Sequence, residues 1–505
     1  MRSSALLLAS VACSTASAAE TVLGVYIFSR HGDRTAKATP PSGLTDLGYE
    51  EVFTSGTYYR SRYIASDGSR PIHGIEPDVV KLSQITASAP LDTVLMPSAM
   101  GFLQGLYPPV GETLGSQTLR NGTVVQTPLN GFQLIPVQTV ANGAGSENAA
   151  WLQGSTNCAK PVGVERPLDP AHWESFNCIS SNNYFLSSQY KATLNRTQGF
   201  YRDMYPFVNR TFTESQTSFQ NAYTIFDLLN VASIHNASIP LPDDADFFQL
   251  RTLADQHEWG LAYNESEPIR AVTGAVIGAQ VVQALNGTIS GKGQNVFNVQ
   301  FGAYGGMFSY FGLANLTAAS PLFYGVPDYA SSLVWELVTN ATVGSGSAAY
   351  PSADDIGVRF YFHNGTTSNI SEPVEFPLFG TGRSPIPWSE FVASSNKFAI
   401  GTQAQWCHAC GNSTGVCSPS ALGEGSSSDV GSSSSSTSTP KDHHGGGISK
   451  AVAGVIGAMV TLGVILGAEL LIMLVGGLRL VSKRRLSRTA SDGSSGAGGV
   501  QAAKA

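Results

Sequence analysis

Residues 21–28, TVLGVYIF, form an unbroken apolar run rich in β-branched and aromatic side chains, which reads as a buried strand. Helical spacing of apolar and aromatic residues follows in LTDLGYEEVFTSGTYYRSRYI (44–64), and SAMGFLQGLYPP (98–109) reads as a second helix stopped by proline. Much further along, NVFNVQFG (295–302) is again strand-like and MFSYFGLANL (307–316) helix-like. Strands separated by helical stretches predict an α/β core with a parallel or mixed sheet. The middle of the chain, roughly 115–268, holds many aromatics and mixed helical patterns, and is expected to be an inserted, mainly helical cap. No internal repeat of fixed period occurs.

The two ends of the chain read differently. Residues 1–19, MRSSALLLASVACSTASAA, carry a basic residue, an apolar stretch and a small-residue cleavage site, the pattern of a secretory signal peptide. Residues 451–478 form a 28-residue, mostly apolar run, longer than the roughly 20 residues that cross a bilayer. Arg479, Lys483, Arg484, Arg485 and Arg488 follow it directly, which orients the C-terminus towards the cytoplasm. The charged tail at 479–505 does not fit a removable lipid-anchor signal. Before the span, 423–447 is Ser- and Gly-rich with almost nothing apolar, as expected of a flexible stalk. A single-pass type I protein of the cell membrane or secretory-pathway membrane follows, its ectodomain (20–420) extracellular or luminal. Glu469 within the span and the small-xxx-small pattern GVILG (463–467) are compatible with oligomerisation or a membrane partner through that helix.

Eleven Asn-x-Ser/Thr sequons, at Asn121, Asn195, Asn209, Asn236, Asn264, Asn286, Asn315, Asn340, Asn364, Asn369 and Asn412, all fall between signal and span, in keeping with a glycosylated ectodomain. Removal of Cys13 with the signal leaves Cys158, Cys178, Cys407, Cys410 and Cys417. In an oxidising compartment these are expected as disulfides: Cys158 with Cys178, one bridge within CHACGNSTGVC, and one thiol left over. CHAC without a second paired motif is a weak metal signal, and neither a metal nor another cofactor is expected. A net charge of −7 with no basic stripe in the ectodomain argues against nucleic acid as a partner.

Both IFSRHGDR (27–34) and QFGAYGGM (300–307) place a turn-rich loop at the carboxyl end of a predicted strand, where open α/β sheets bind ligands. In the first loop Gly32 lets the backbone turn close to a ligand. Arg30 and Arg34 each offer a planar fork of donors to phosphate oxygens, and His31 between them has a ring nitrogen able to attack phosphorus.

With these motifs the chain resembles the histidine acid phosphatases, branch 2 of the histidine phosphatase superfamily, most closely their fungal secreted and membrane-anchored members. The signature Arg-His-Gly-x-Arg-x-Pro is matched at Arg30, His31, Gly32 and Arg34, with Ala36 at its proline. The likeness continues through LTDLGYEEVFTSGTYYRSRY, SAMGFLQGLYPP, PLNGFQLIPV, FGAYGGM, DYASSLVWEL and PLFG. It implies a phosphoglycerate-mutase-like α/β core with a helical cap. It also implies a phosphate or phosphomonoester ligand, held by Arg30 and Arg34 and transferred to His31 as a phosphohistidine that water hydrolyses without a metal.

Two departures weigh against that activity. The family's His-Asp loop, which contacts phosphate and protonates the leaving group, aligns with Ala303 and Tyr304. The family's further pocket arginine aligns with Val94 or Thr93. Losing a general acid typically costs about 10² to 10⁴ in rate, and losing one charge-stabilising donor about 10² to 10³. HEWG, with His257 and Glu258, falls in a helical stretch and is expected on a surface helix, and Asp33 is not assigned as proton donor. Three readings stay open: a degenerate phosphatase that still binds phosphate, an active acid phosphatase with a relocated proton donor, and a non-enzymatic glycosylated surface protein.

Overall fold

The computed structural model describes residues 20–141, 158, 181, 183–344, 350–419 and 421–422. The expected signal peptide, Cys178, the stalk, the membrane span with Glu469, and the tail lie outside the described residues.

The apolar run becomes β1 (Thr21–Arg30), which is buried along nearly its whole length. It lies inside a mixed sheet with β2 (Ile85–Leu91), β3 (Val137–Ala141), β4 (Phe297–Gly302), β5 (Ser332–Thr339), β6 (Ile356–His363), β7 (Val374–Glu375) and β8 (Ile386–Pro387). The order is β8-β6-β5-β1-β4-β2-β3, with β7 paired to β6. β1, β4, β2 and β3 run parallel, whereas β5 is antiparallel to β1. A parallel sheet is buried on both faces, which is why β1 reads as a continuous apolar run rather than an alternating one. Separate apolar cores lie under the two faces, one built on Val25 and Ile27 and the other on Tyr26 and Phe28.

α1 (Asp46–Tyr59) and α2 (Leu95–Leu106) pack together under the Val25 face. α1 starts at Thr45, whose hydroxyl accepts from the Gly48 N–H at 3.0 Å, a capping bond that fixes where the helix begins. On the opposite face lie α3 (Ser188–Arg196), α4 (Gln198–Val208), α5 (Ala222–His235) and α6 (Asp244–Ala262), followed by α7 (Val272–Gly291) and α8 (Tyr304–Leu313). Of the region expected as a cap, the described residues 183–268 are largely helical, whereas Val137–Ala141 belongs to the sheet, pairing in parallel with β2. Among the described residues one helix, Pro268–Gly291, is long and apolar enough to cross a membrane, and it is mostly buried inside the fold, packed on β1 and α8.

The disulfides differ in part from expectation. Cys407 pairs with Cys417, inside CHACGNSTGVC, but Cys158 pairs with Cys410 and not with Cys178. The cause is docking of the helix Gln403–Cys410 beside α7, where Trp406, Cys407 and Cys410 join Val272 and Val276 in a small buried cluster that also takes in Cys158. Proximity in sequence, which suggested Cys178, does not decide the partner.

Candidate functional site

In the β1–β4 register Arg30 stands opposite Gly302, so the loop beginning at His31 faces the one beginning at Ala303. The two carboxyl-end loops therefore meet, as the sequence predicts. The loop before β5 closes the third side, with the Arg30 N–H donating to the Ser331 carbonyl and the Ala330 N–H to the His31 carbonyl, each at 2.8 Å. Gly32 is required by a close approach: a Cβ there would stand 2.1 Å from the Gly48 carbonyl oxygen, inside van der Waals contact with α1. The Gly32 N–H donates to Ser98 Oγ on α2 at 3.3 Å.

His31 is buried, and its Nδ1 lies 2.8 Å from the Gly32 carbonyl oxygen. Nδ1 must carry the proton to donate there, so Nε2 keeps its lone pair, the state a nucleophile needs. Burial, together with the charges of Arg30 and Arg34, holds the imidazole pKa well below its ordinary value, more than offsetting the bond to Gly32. The ring therefore stays neutral at pH values where an ordinary histidine has begun to take up a proton.

Arg30 donates through Nη1 to the Pro327 carbonyl and more weakly through Nη2 to the Tyr223 hydroxyl at 3.5 Å. Its guanidinium sits 4.6 Å from the Tyr329 ring centre and 5.1 Å from that of Tyr304. Arg30 Nε is buried with no hydrogen-bond partner among the described residues, leaving one donor for an anion. Arg34 forms a two-pronged ion pair with Asp227 of α5, Nη2 to Oδ1 at 2.8 Å and Nη1 to Oδ2 at 3.2 Å. Burial, the largest single influence, opposes the charge of Arg34, but Asp227 together with Tyr223 and Tyr329 outweighs it and holds the guanidinium pKa well above its ordinary value.

Ala303 is the N-cap residue of α8 and supplies no side-chain cap. Tyr304 is buried, packs 4.9 Å from the Tyr223 ring, and donates its hydroxyl to Glu258 Oε2 at 2.7 Å. Val94 caps α2 as a small apolar side chain, 8% exposed, with its N–H donating to Asp92 at 2.8 Å. Among these positions no guanidinium or imidazole takes the place of those the family resemblance implies.

HEWG is not on the surface. His257 and Glu258 are 0% and 2% exposed, and Glu258 accepts from Tyr304 on one oxygen while the other lies 2.8 Å from His257 Nδ1. Leu250, Leu253, Ala254 and Leu261 are buried on the same helix at i, i+3, i+4 spacing with this pair, so 257 and 258 fall on the core stripe. Asp33, fully buried, holds Thr45 Oγ1 and His235 Nε2 at 2.5 Å each through Oδ2, joining the loop to α1 and α5.

Sequence reasoning missed Tyr223, Asp227, Tyr329 and Glu51. Tyr223 and Asp227 stand four apart on α5 and so share one helical face, a spacing visible in AYTIFDLL, although nothing in it announces Arg34 as the partner. Glu51 on α1 accepts from the Asp33 N–H at 2.7 Å and, with Arg30, lines a cavity of about 280 Å³. Burial foremost, then the nearby carboxylates of Asp33 and Asp328, raise its pKa to about 7.

No family model and no curated protein sequence matches the chain. Among solved structures, the phytase from Citrobacter braakii is similar with a TM-score of 0.50 at 12% identity, over 78% of this chain and 99% of that one. The apo form of the Hafnia alvei phytase follows at a TM-score of 0.46 and 12% identity, over 78% and 99%. A multiple inositol polyphosphate phosphatase from Bifidobacterium longum gives a TM-score of 0.42 at 11% identity, over 76% and 94%. The α/β core that the resemblance implies is observed as a mixed α/β fold around a central sheet, which this chain shares with the phytase from Citrobacter braakii.

Proposed function

We propose that this chain is a membrane-anchored, glycosylated, phosphatase-fold protein that binds a phosphate or phosphomonoester between Arg30, His31 and Arg34 and hydrolyses it slowly or not at all. The observation that supports the reading is the Arg30–Gly302 register, which sets the loop beginning with Ala303 and Tyr304, neither of them an imidazole or a carboxylic acid, beside the loop of His31 and its two arginines. In such a site His31 Nε2 attacks phosphorus, the P–O bond to the leaving group breaks, and the departing alkoxide takes up a proton. Tyr304, whose hydroxyl proton is directed to Glu258, is poorly placed to give that proton. Water then hydrolyses the phosphohistidine and returns His31 to its starting state. All eleven sequon asparagines lie among the described residues and none is buried, which suits the glycosylated ectodomain proposed here.

A second reading, an active acid phosphatase, is favoured by Glu51. This carboxyl group is protonated in acid, lines the same cavity as Arg30, and is of the kind that serves as general acid. An aryl phosphate assay of the full chain between about pH 3 and 7, with His31→Ala as control, separates the readings. Turnover at an ordinary rate that is lost in both His31→Ala and Glu51→Gln supports the second. Phosphate binding with turnover at least about 10² below that rate supports the first. Absence of both supports a surface protein that uses only the scaffold.

A further inference from the structure

We propose that Asp227 is a specificity-determining residue, a carboxylate of the chain itself seated in the anion fork that Arg34 would offer to phosphate. The inference rests on the reading of Arg34 as a phosphate-binding side chain. Three N–H donors converge on the Asp227 carboxylate: Arg34 Nη2 at 2.8 Å on Oδ1, and Arg34 Nη1 at 3.2 Å with the Lys37 backbone N–H at 2.8 Å on Oδ2. Two guanidinium donors in parallel plus a backbone amide make up the donor set with which proteins hold a phosphate. Here the anion is internal, and both side chains are 2% exposed. Tyr223, one helical turn before Asp227, sets its hydroxyl 3.5 Å from Arg30 Nη2 and 3.4 Å from Arg34 Nη2, so the same face of α5 serves both arginines.

A phosphate that engages Arg34 must turn this carboxylate out. Asp227 also lines the cavity of about 280 Å³ shared with Arg30, Glu51, Tyr223 and Tyr329, so room for such a movement adjoins the pair. Glu51 and Asp328 line the same cavity, and a displaced Asp227 would add a third carboxylate beside the entering ligand. A tethered competitor acts at a fixed effective concentration of about millimolar or more, whatever the amount of free ligand. The site therefore discriminates against weakly bound phosphate dianions, and admits only ligands with enough further contacts to displace Asp227.

The test is calorimetric titration of the full chain with inorganic orthophosphate. Asp227→Asn should bind at least about tenfold more tightly than the unaltered protein. Asp227→Glu, which restores a carboxylate, should bind as weakly as the unaltered protein, and adding Arg34→Ala to Asp227→Asn should abolish the gain. If Asp227→Asn shows no gain while the unaltered protein binds in an Arg34-dependent way, the proposal is overturned and the phosphate-site reading stands. If neither protein binds at about 50 mM orthophosphate, both fall. Removing one partner of a buried pair can unfold a protein, so melting curves accompany the titrations. Phosphate should raise the melting temperature of Asp227→Asn more than that of the unaltered chain. A variant that stays unfolded at about 50 mM orthophosphate contradicts the proposal, because a phosphate occupying the fork would replace the missing anion.

Discussion

The Tyr304 hydroxyl donates to Glu258 Oε2 at 2.7 Å, joining the loop that faces His31 to the core stripe of α6. The tyrosine gives a buried carboxylate one of its hydrogen bonds, and in the proposed reading it has no part in protonating a leaving group. Tyr304→Phe should therefore lower stability by about 1–3 kcal/mol, the cost of withdrawing a donor from a buried acceptor. Any residual phosphatase turnover should change less than threefold, as expected of a residue outside the chemistry. Denaturant unfolding and an aryl phosphate assay on one preparation check both halves.

Glu51 gives a pH signature whose sign follows from its raised pKa. Its folded-state value of about 7 stands above the ordinary 4.5, so the folded protein holds this proton more tightly than the unfolded chain does. The stabilisation is complete below the ordinary value and is lost as pH rises through the folded one. Glu51→Gln removes the ionisation while keeping an acceptor for the Asp33 N–H. At about pH 8 it should be more stable than the unaltered protein by up to about 3 kcal/mol, with the difference shrinking towards about pH 4. Chemical denaturation at the two pH values measures it, and equal differences at both would refute the assignment.

His31 carries the opposite shift. Its pKa is held well below the ordinary imidazole value, first by burial and then by Arg30 and Arg34. The acidic limb of any residual turnover should therefore lie well below the pH of about 6.5 at which an exposed histidine would protonate. A kcat/KM profile with a limb near that pH would mean that His31 is not the group being read.

The bridge between Cys158 and Cys410 ties residue 158 to the helix Gln403–Cys410. Peptide mapping without reduction should recover Cys158 linked to Cys410 and Cys407 linked to Cys417. Cys158→Ser should cost about 2–4 kcal/mol of stability, as loss of a bridge that closes a long loop does. Recovery of a Cys158–Cys178 peptide would contradict the fold around α7.

Local sequence carried the parts of the site that lie along one strand and its loop. TVLGVYIF reads as a buried strand, and the arginines and glycine at its end point to a tight turn with cationic forks. The same holds for FNVQFG, whose parallel pairing with β1 brings Ala303 and Tyr304 to His31. What stayed hidden depends on contacts made across the fold. Asp227 reads as one more acidic residue on an amphipathic helix until α5 is laid over the Arg34 loop. HEWG looks polar when taken alone, yet the stripe of Leu250, Leu253, Ala254 and Leu261 buries it. That spacing was present in the sequence, and following it would have placed Glu258 inside. Val137–Ala141 is too short and too mixed to stand out, and its strand character comes from the β2 edge beside it.

In the function proposed above, His31 and its arginines are kept while the proton-donating loop is replaced by Ala303 and Tyr304. That function is tested most directly by restoring the loop. Ala303→His with Tyr304→Asp, made with and without Val94→Arg and each also in a His31→Ala background, is assayed on an aryl phosphate at about pH 5. Restoration should raise turnover by about 10² or more, and His31→Ala should remove the gain. An unaltered protein that already turns over at about 10 per second, or a gain that survives His31→Ala, would contradict the proposed function.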